Sequence, residues 1–184
     1  MVTRIKNDTV YVDGKPVDLA VQAPGGAQRL GINSFTLGEA NFVGAGGITA
    51  STAVTTEETL YTLVLPAKTI GINDTVRVSC IWSCTNNANV KTAKVYLGAS
   101  QFGGAVALAS VAGGEVVRKI TNRNAFASQV STASTALGPV TSGTVGTFTV
   151  DTSLASTITV TSQKATAGDS LVLESVLVEV VRGL

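Results

Sequence analysis

The chain has 184 residues, enough for one domain with a real core and a further small element, and too few for two full domains. Apolar residues make up 45%, which excludes wholesale disorder, while aromatics at 5% and charges at 14% leave a core of Val, Leu, Ile and Ala under a surface of Ser, Thr, Asn and Gly. The net charge of +1 comes from scattered basic residues, so the electrostatic case for nucleic acid or an anionic membrane is absent, and with no histidine the Ser-His-Asp, Cys-His and Cys/His-zinc chemistries are excluded.

Residues 1–8 carry charges with no apolar stretch after them, so no secretory signal is read there and synthesis in a reducing cytosol is expected. Thr9-Val10-Tyr11-Val12, then Asp13-Gly14, then Lys15-Pro16-Val17 spell a β-hairpin, because Asp-Gly suits a two-residue turn between alternating residues. Pro16 confines the return strand to an edge. A lone hairpin is marginal in water, so this one must lean on its own chain or a neighbour. From about 21 to 57, Gly-rich punctuation separates single apolar residues, Phe35 and Phe42 among them, and no period survives. The expectation is an extended arm ordered on other subunits, since solvated linkers are poor in aromatics.

Strands are then expected over 60–65, 74–84, 91–97, 105–109, 116–121, 125–130, 144–150, 156–161 and 170–181, with turn chemistry at the joints, including Gly103-Gly104, Gly113-Gly114 and Gly168-Asp169. The clearest is 74–84, where Val76, Val78, Cys80, Trp82 and Cys84 share one parity against Thr75, Arg77, Ser79 and Ser83. Cys80 and Cys84 on one strand stand about 13 Å apart, beyond disulfide reach, and read as free thiols. In the last strand the apolar parity switches between Leu173 and Val176, which calls for a bulge near Ser175 or for cover on both faces. Short strands at this spacing imply an antiparallel sandwich of jelly-roll type.

Candidate chemistry is sparse. Glu57 with Glu58, or Asp151 with Asp169, are the carboxylate pairs available to a hydrolase, and adjacent Glu57 and Glu58 would face opposite ways on a strand. Asp74 and Asp169 sit before strands and suit either a calcium loop or, more simply, turn capping. Asn7-Asp8-Thr9 and Asn73-Asp74-Thr75 match the glycosylation sequon, which has no use without export.

Leu63-Val64-Leu65-Pro66-Ala67, Ile81-Trp82-Ser83-Cys84-Thr85-Asn86-Asn87, Lys94-Val95-Tyr96-Leu97-Gly98, Ile120-Thr121-Asn122-Arg123-Asn124 and Ala167-Gly168-Asp169-Ser170-Leu171 resemble a β-rich module of tailed-bacteriophage virion proteins. The resemblance covers roughly 58–184. It implies a tail-fibre, receptor-binding or capsid-decoration part. Asn122-Arg123-Asn124 is expected to hold a turn by side-chain bonds.

Together these readings anticipate an all-β chain with an N-terminal hairpin and docking arm over 1–57 and a jelly-roll-like sandwich over 58–184. The expected role is that of a non-enzymatic virion structural subunit with no catalytic residue, metal or cofactor. Its expected partners are other virion proteins and copies of itself, a trimer being favoured, with Val10, Tyr11, Val12, Phe35 and Phe42 as docking residues. Two alternatives are a receptor- or carbohydrate-binding module, meeting a host-surface glycan through Thr85 to Asn89 with Tyr96 nearby, and an exported bacterial adhesin or pilus subunit.

Overall fold

The computed structural model describes residues 3–6, 9–12, 15–17, 34–41, 48–50, 53–132 and 145–183, with the strands before residue 50 described as backbone. The chain divides into two compact units, Met1–Ser34 and Phe35–Leu184.

In the first unit, β1 (Thr3–Lys6), β2 (Thr9–Val12) and β3 (Lys15–Val17) form an antiparallel meander in that order. The expected hairpin is present as β2 and β3, with Val10 opposite Val17 and Tyr11 opposite Pro16. Pro16 lies on an edge strand, where proline is tolerated. The added strand β1 pairs antiparallel with β2, Lys6 opposite Thr9.

The second unit holds two antiparallel sheets. One runs β10 (Val106–Leu108), β8 (Lys91–Leu97), β14 (Ser156–Lys164), β6 (Glu58–Leu65), with β9 (Ser100–Gln101) on β8. The other runs β13 (Gly146–Phe148), β12 (Gln129–Ser131), β11 (Gly113–Asn122), β7 (Thr75–Cys84), β15 (Leu171–Val181), β4 (Ser34–Asn41), with β5 (Ile48–Thr49) also on β15. Their inner faces share one apolar core, so the unit is a β-sandwich, wound by the long-range pairs β7–β15 and β8–β14.

β4 and β5 differ from expectation. The stretch from about 21 to 57 is expected as an arm lying on other subunits, yet the two strands described within it join the chain's own sheet beside β15. The compact units accordingly part at Ser34 and Phe35, upstream of the 57/58 boundary that composition suggested. Gly113-Gly114, expected as a turn, opens β11 instead, opposite Ser83 and Trp82. A Cβ on Gly113 would lie 2.2 Å from the Trp82 carbonyl oxygen, so this glycine serves a close backbone approach. The expected strand 125–130 begins later, at Gln129.

The core follows the period-2 pattern. Val76, Val78, Cys80 and Trp82 are all within 2% of complete burial, while Ile81 on the opposite parity is 50% exposed. Val95 and Leu97 of β8, Ile158 and Val160 of β14, and Val176, Val178 and Val180 of β15 meet them, each stabilising the fold by about 2 kcal/mol relative to exposure. The register of β15 on β7 shifts between Leu173 and Ser175, which makes Glu174 the extra residue of a bulge. That bulge puts Leu171 and Leu173 on the same inner face as Val176.

Candidate functional site

Two polar clusters close the ends of the sandwich, ten-residue β7 standing between them. At the end where β7 begins, Asp74 caps its own turn: Gly71 N–H donates to Oδ2 at 2.7 Å and Gly183 N–H to Oδ1 at 3.1 Å, and the Arg182 guanidinium also bonds Oδ2. Asn122 donates through Nδ2 to the Gly71 carbonyl at 2.7 Å and to Thr152 Oγ1 at 2.9 Å. Gln129 Nε2 reaches the Phe126 and Val150 carbonyls, and Gln129 Oε1 accepts from the Val150 N–H at 2.9 Å. Within the Asn-Arg-Asn motif, Asn124 adopts φ 53°, a left-handed turn conformation that Asn tolerates, so the motif holds a turn as expected.

At the other end, Asn87 Nδ2 donates to Asp169 Oδ1 at 2.7 Å, and Ser170 N–H donates to Thr85 Oγ1 at 2.8 Å. The Asn-rich turn and the Ala-Gly-Asp motif are thus two halves of one structure. Buried beneath them is Lys91, with 0% exposure, whose Nζ donates to Asn87 Oδ1 at 2.7 Å and to the Asn89 carbonyl at 2.9 Å. The Asn87 hydrogen bond holds the Asp169 carboxyl below its ordinary value against the opposing effect of burial. Sequence reasoning did not single out Lys91, although it shares strand parity with Ala93, Val95 and Leu97, all buried.

On the outer face of the β6–β14–β8 sheet, Glu57 collects three donors: Lys94 Nζ at 2.5 Å, Thr161 Oγ1 at 2.6 Å and Tyr96 O–H at 2.8 Å. Burial pushes the Glu57 carboxyl up, and the bonds from Lys94, Thr161 and Tyr96 outweigh it, so it titrates below its ordinary value. Desolvation, then the Glu57 hydrogen bond, pushes the Tyr96 hydroxyl up to about 12. Beyond the far end of β8, an open apolar groove of about 490 Å³ is lined by Val64, Gly98, Val150, Leu154 and Ala155 together with polar neighbours.

The expected docking residues Val10, Tyr11 and Val12 lie in β2, the central strand of the meander, and Phe35 lies in β4. Phe42 falls outside the described residues. The glycan reading paired the Thr85 to Asn89 loop with Tyr96, which the structure separates: Tyr96 lies five positions along β8 from Lys91, about 16 Å away, and is engaged by Glu57. Asp74 accepts N–H donors on both carboxylate oxygens and Asp169 accepts one on Oδ1, the turn-capping alternative to a calcium loop. Among the described residues no group of three or more His, Cys, Asp or Glu side chains is arranged to hold a metal ion, and the Glu57 carboxylate is engaged by Lys94, Thr161 and Tyr96. Cys80 and Cys84 are free thiols.

No protein-family model matches the chain, and no curated protein matches it. Among solved structures, the VP2 subviral particle of infectious bursal disease virus aligns over 98% of this chain and 41% of that one, at 12% identity and a TM-score of 0.39. The Gx strain of the same virus aligns over 100% of this chain and 42% of that one, at 14% identity and a TM-score of 0.37. The chain therefore spans about two fifths of those proteins. Similarity this low assigns neither a family nor a role.

Proposed function

We propose that this chain is a non-enzymatic structural subunit of a virus particle, of the tailed-phage kind its motifs resemble, serving as a capsid decoration or a tail or fibre accessory. Its partners are other virion proteins and further copies of itself, with a trimer as the favoured assembly. The division into a small three-stranded unit and a separate sandwich supports this reading most directly. A short sheet ending in β1 and β3 offers main-chain N–H and C=O groups for pairing with another chain, a mode of docking that needs few charges. Val10, Tyr11 and Val12 are the docking residues within it. The charge-poor composition fits as well, because Ser and Thr surfaces are cheaper to desolvate in close subunit contacts than Lys or Glu.

The test is mass spectrometry and immunolabelling of purified particles from the source virus. A fixed copy number per particle is expected. Absence of the chain from purified particles rejects the proposal. A Val10→Asp, Val12→Asp double variant of the full chain should keep its β circular dichroism and lose incorporation, and normal incorporation would remove the N-terminal unit from the docking role.

A further inference from the structure

The buried end around Lys91 holds more than a satisfied lysine needs. Lys91 Nζ lies 2.7 Å from Asn87 Oδ1 and 3.9 Å from Asp169 Oδ2. The other Asp169 oxygen accepts from Asn87 Nδ2 at 2.7 Å. One carboxylate therefore faces an amine with one oxygen and a carboxamide nitrogen with the other. Asn87 Oδ1 also accepts the Asn89 backbone N–H at 3.1 Å, a donor placed on the carbonyl oxygen of that carboxamide. Asp169 Oδ2 is buried and has no hydrogen-bond partner among the described residues.

These are the parts of an amide aminolysis: a nucleophile, an electrophile, a donor for the developing oxyanion, and a carboxylate hydrogen-bonded to the carboxamide nitrogen and 3.9 Å from the amine, which must close on that amine to exchange a proton. We propose that Lys91 and Asn87 join in an intramolecular isopeptide bond, with Asp169 as the proton shuttle.

Asp169 Oδ2 takes a proton from the Lys91 ammonium, and the freed amine attacks Asn87 Cγ. The Nζ–Cγ bond forms while the carbonyl π electrons move onto Oδ1, where the Asn89 N–H stabilises the negative charge. Asp169 then protonates Nδ2, the Cγ–Nδ2 bond breaks and ammonia leaves. The new amide nitrogen gives its surplus proton to Asp169, which passes it to the departing ammonia, so the site ends with a secondary amide, a carboxylate and one ammonium ion. No oxidant or cofactor enters the balance. Lys91 at 0% exposure and Asp169 at 5% are shielded from bulk water, while Asn87 is partly exposed. Lys164, opposite Lys91 in the β8–β14 register and 2% exposed, is a further titratable group at this end, and its Nζ donates to the Ala167 carbonyl at 3.3 Å.

Intact-mass measurement on the full chain tests this, both freshly purified and after prolonged incubation. The wild-type protein is expected to be lighter than its sequence by one ammonia, with tandem fragmentation placing the link between positions 87 and 91. Asn87→Ala and Asp169→Asn are expected at full sequence mass. A wild-type chain at full mass overturns the bond. Loss of ammonia that persists in Lys91→Met also overturns it, since that marks a backbone succinimide at Asn87. An Asp169→Asn variant that still closes the link removes the shuttle role.

Discussion

Gln129 and Asn122 face each other across the β11–β12 connection, with Gln129 Nε2 donating to Asn122 Oδ1 at 2.9 Å and both side chains buried. The pair ties Gly71, Phe126, Val150 and Thr152 together, so one end of the sandwich rests on amide side chains where a larger core would use apolar ones.

Replacing Gln129 by Ala strands the Asn122 carbonyl oxygen and the Val150 N–H in a buried setting. The expected loss is about 3 kcal/mol, since each unmatched buried group costs roughly 1–3 kcal/mol. Urea unfolding should show it as a lower midpoint with an unchanged slope.

Gly103 sits at φ +71°, and a Cβ there would meet Arg118 Cδ at 2.1 Å, whereas a Cβ on Gly114 meets nothing within 4 Å among the described residues. Arg118 is 6% exposed and reaches out of the core to donate through Nε to the Gly104 carbonyl at 3.2 Å. Gly103→Ala should destabilise by about 2 kcal/mol through left-handed strain and displacement of Arg118, while Gly114→Ala stays within about 0.5 kcal/mol of wild type. Thermal melts of the two variants side by side check this.

Glu57 and Tyr96 predict opposite limbs of a pH–stability profile. The lowered Glu57 carboxyl contributes stability that is present above its ordinary value of 4.5 and lost as pH falls through the lower folded value. The raised Tyr96 hydroxyl contributes stability that is complete below 10 and lost as pH rises from there to about 12. Glu57→Gln should flatten the acid limb and move the Tyr96 ionisation downward in an ultraviolet titration. An unmoved phenolate transition would contradict the Glu57–Tyr96 coupling.

The two thiols should differ in reactivity. Burial pushes Cys80 up to about 12, with Arg118 opposing, while Cys84 is half-buried and donates to the Val111 carbonyl at 3.3 Å. At neutral pH a thiol reagent should label one equivalent on the native chain and two on the denatured one, and Cys84→Ser should abolish the native labelling.

Much of the sandwich was legible in single residues. Val76, Val78, Cys80 and Trp82 announced an inner face by parity alone, and the parity break before Val176 located the bulge that the β7–β15 register places at Glu174. Phe35 and Leu37 of β4 alternate too, but over three residues before Gly38-Glu39-Ala40-Asn41, too short a run to reveal a strand whose partner is β15, far along the chain. Lys91 and Arg118 were hidden for another reason: both share parity with buried neighbours, yet buried cations are rare, and only long-range neighbours such as Asp169 and Gly104 show what accommodates them. The polar ends were legible as turn motifs but not as joined structures, because nothing local links Asn87 to Asp169.

β15 is paired with β7, and with β5 through Ile48 opposite Leu173, while β4 borders it as well. On the ribosome, the early strands must therefore wait, unpaired along that border, until residues 171–181 emerge. Non-local pairing of this kind folds slowly. A nascent chain stalled ahead of β15 would leave the β7 edge uncovered, so the sandwich closes only once residues 171–181 are available.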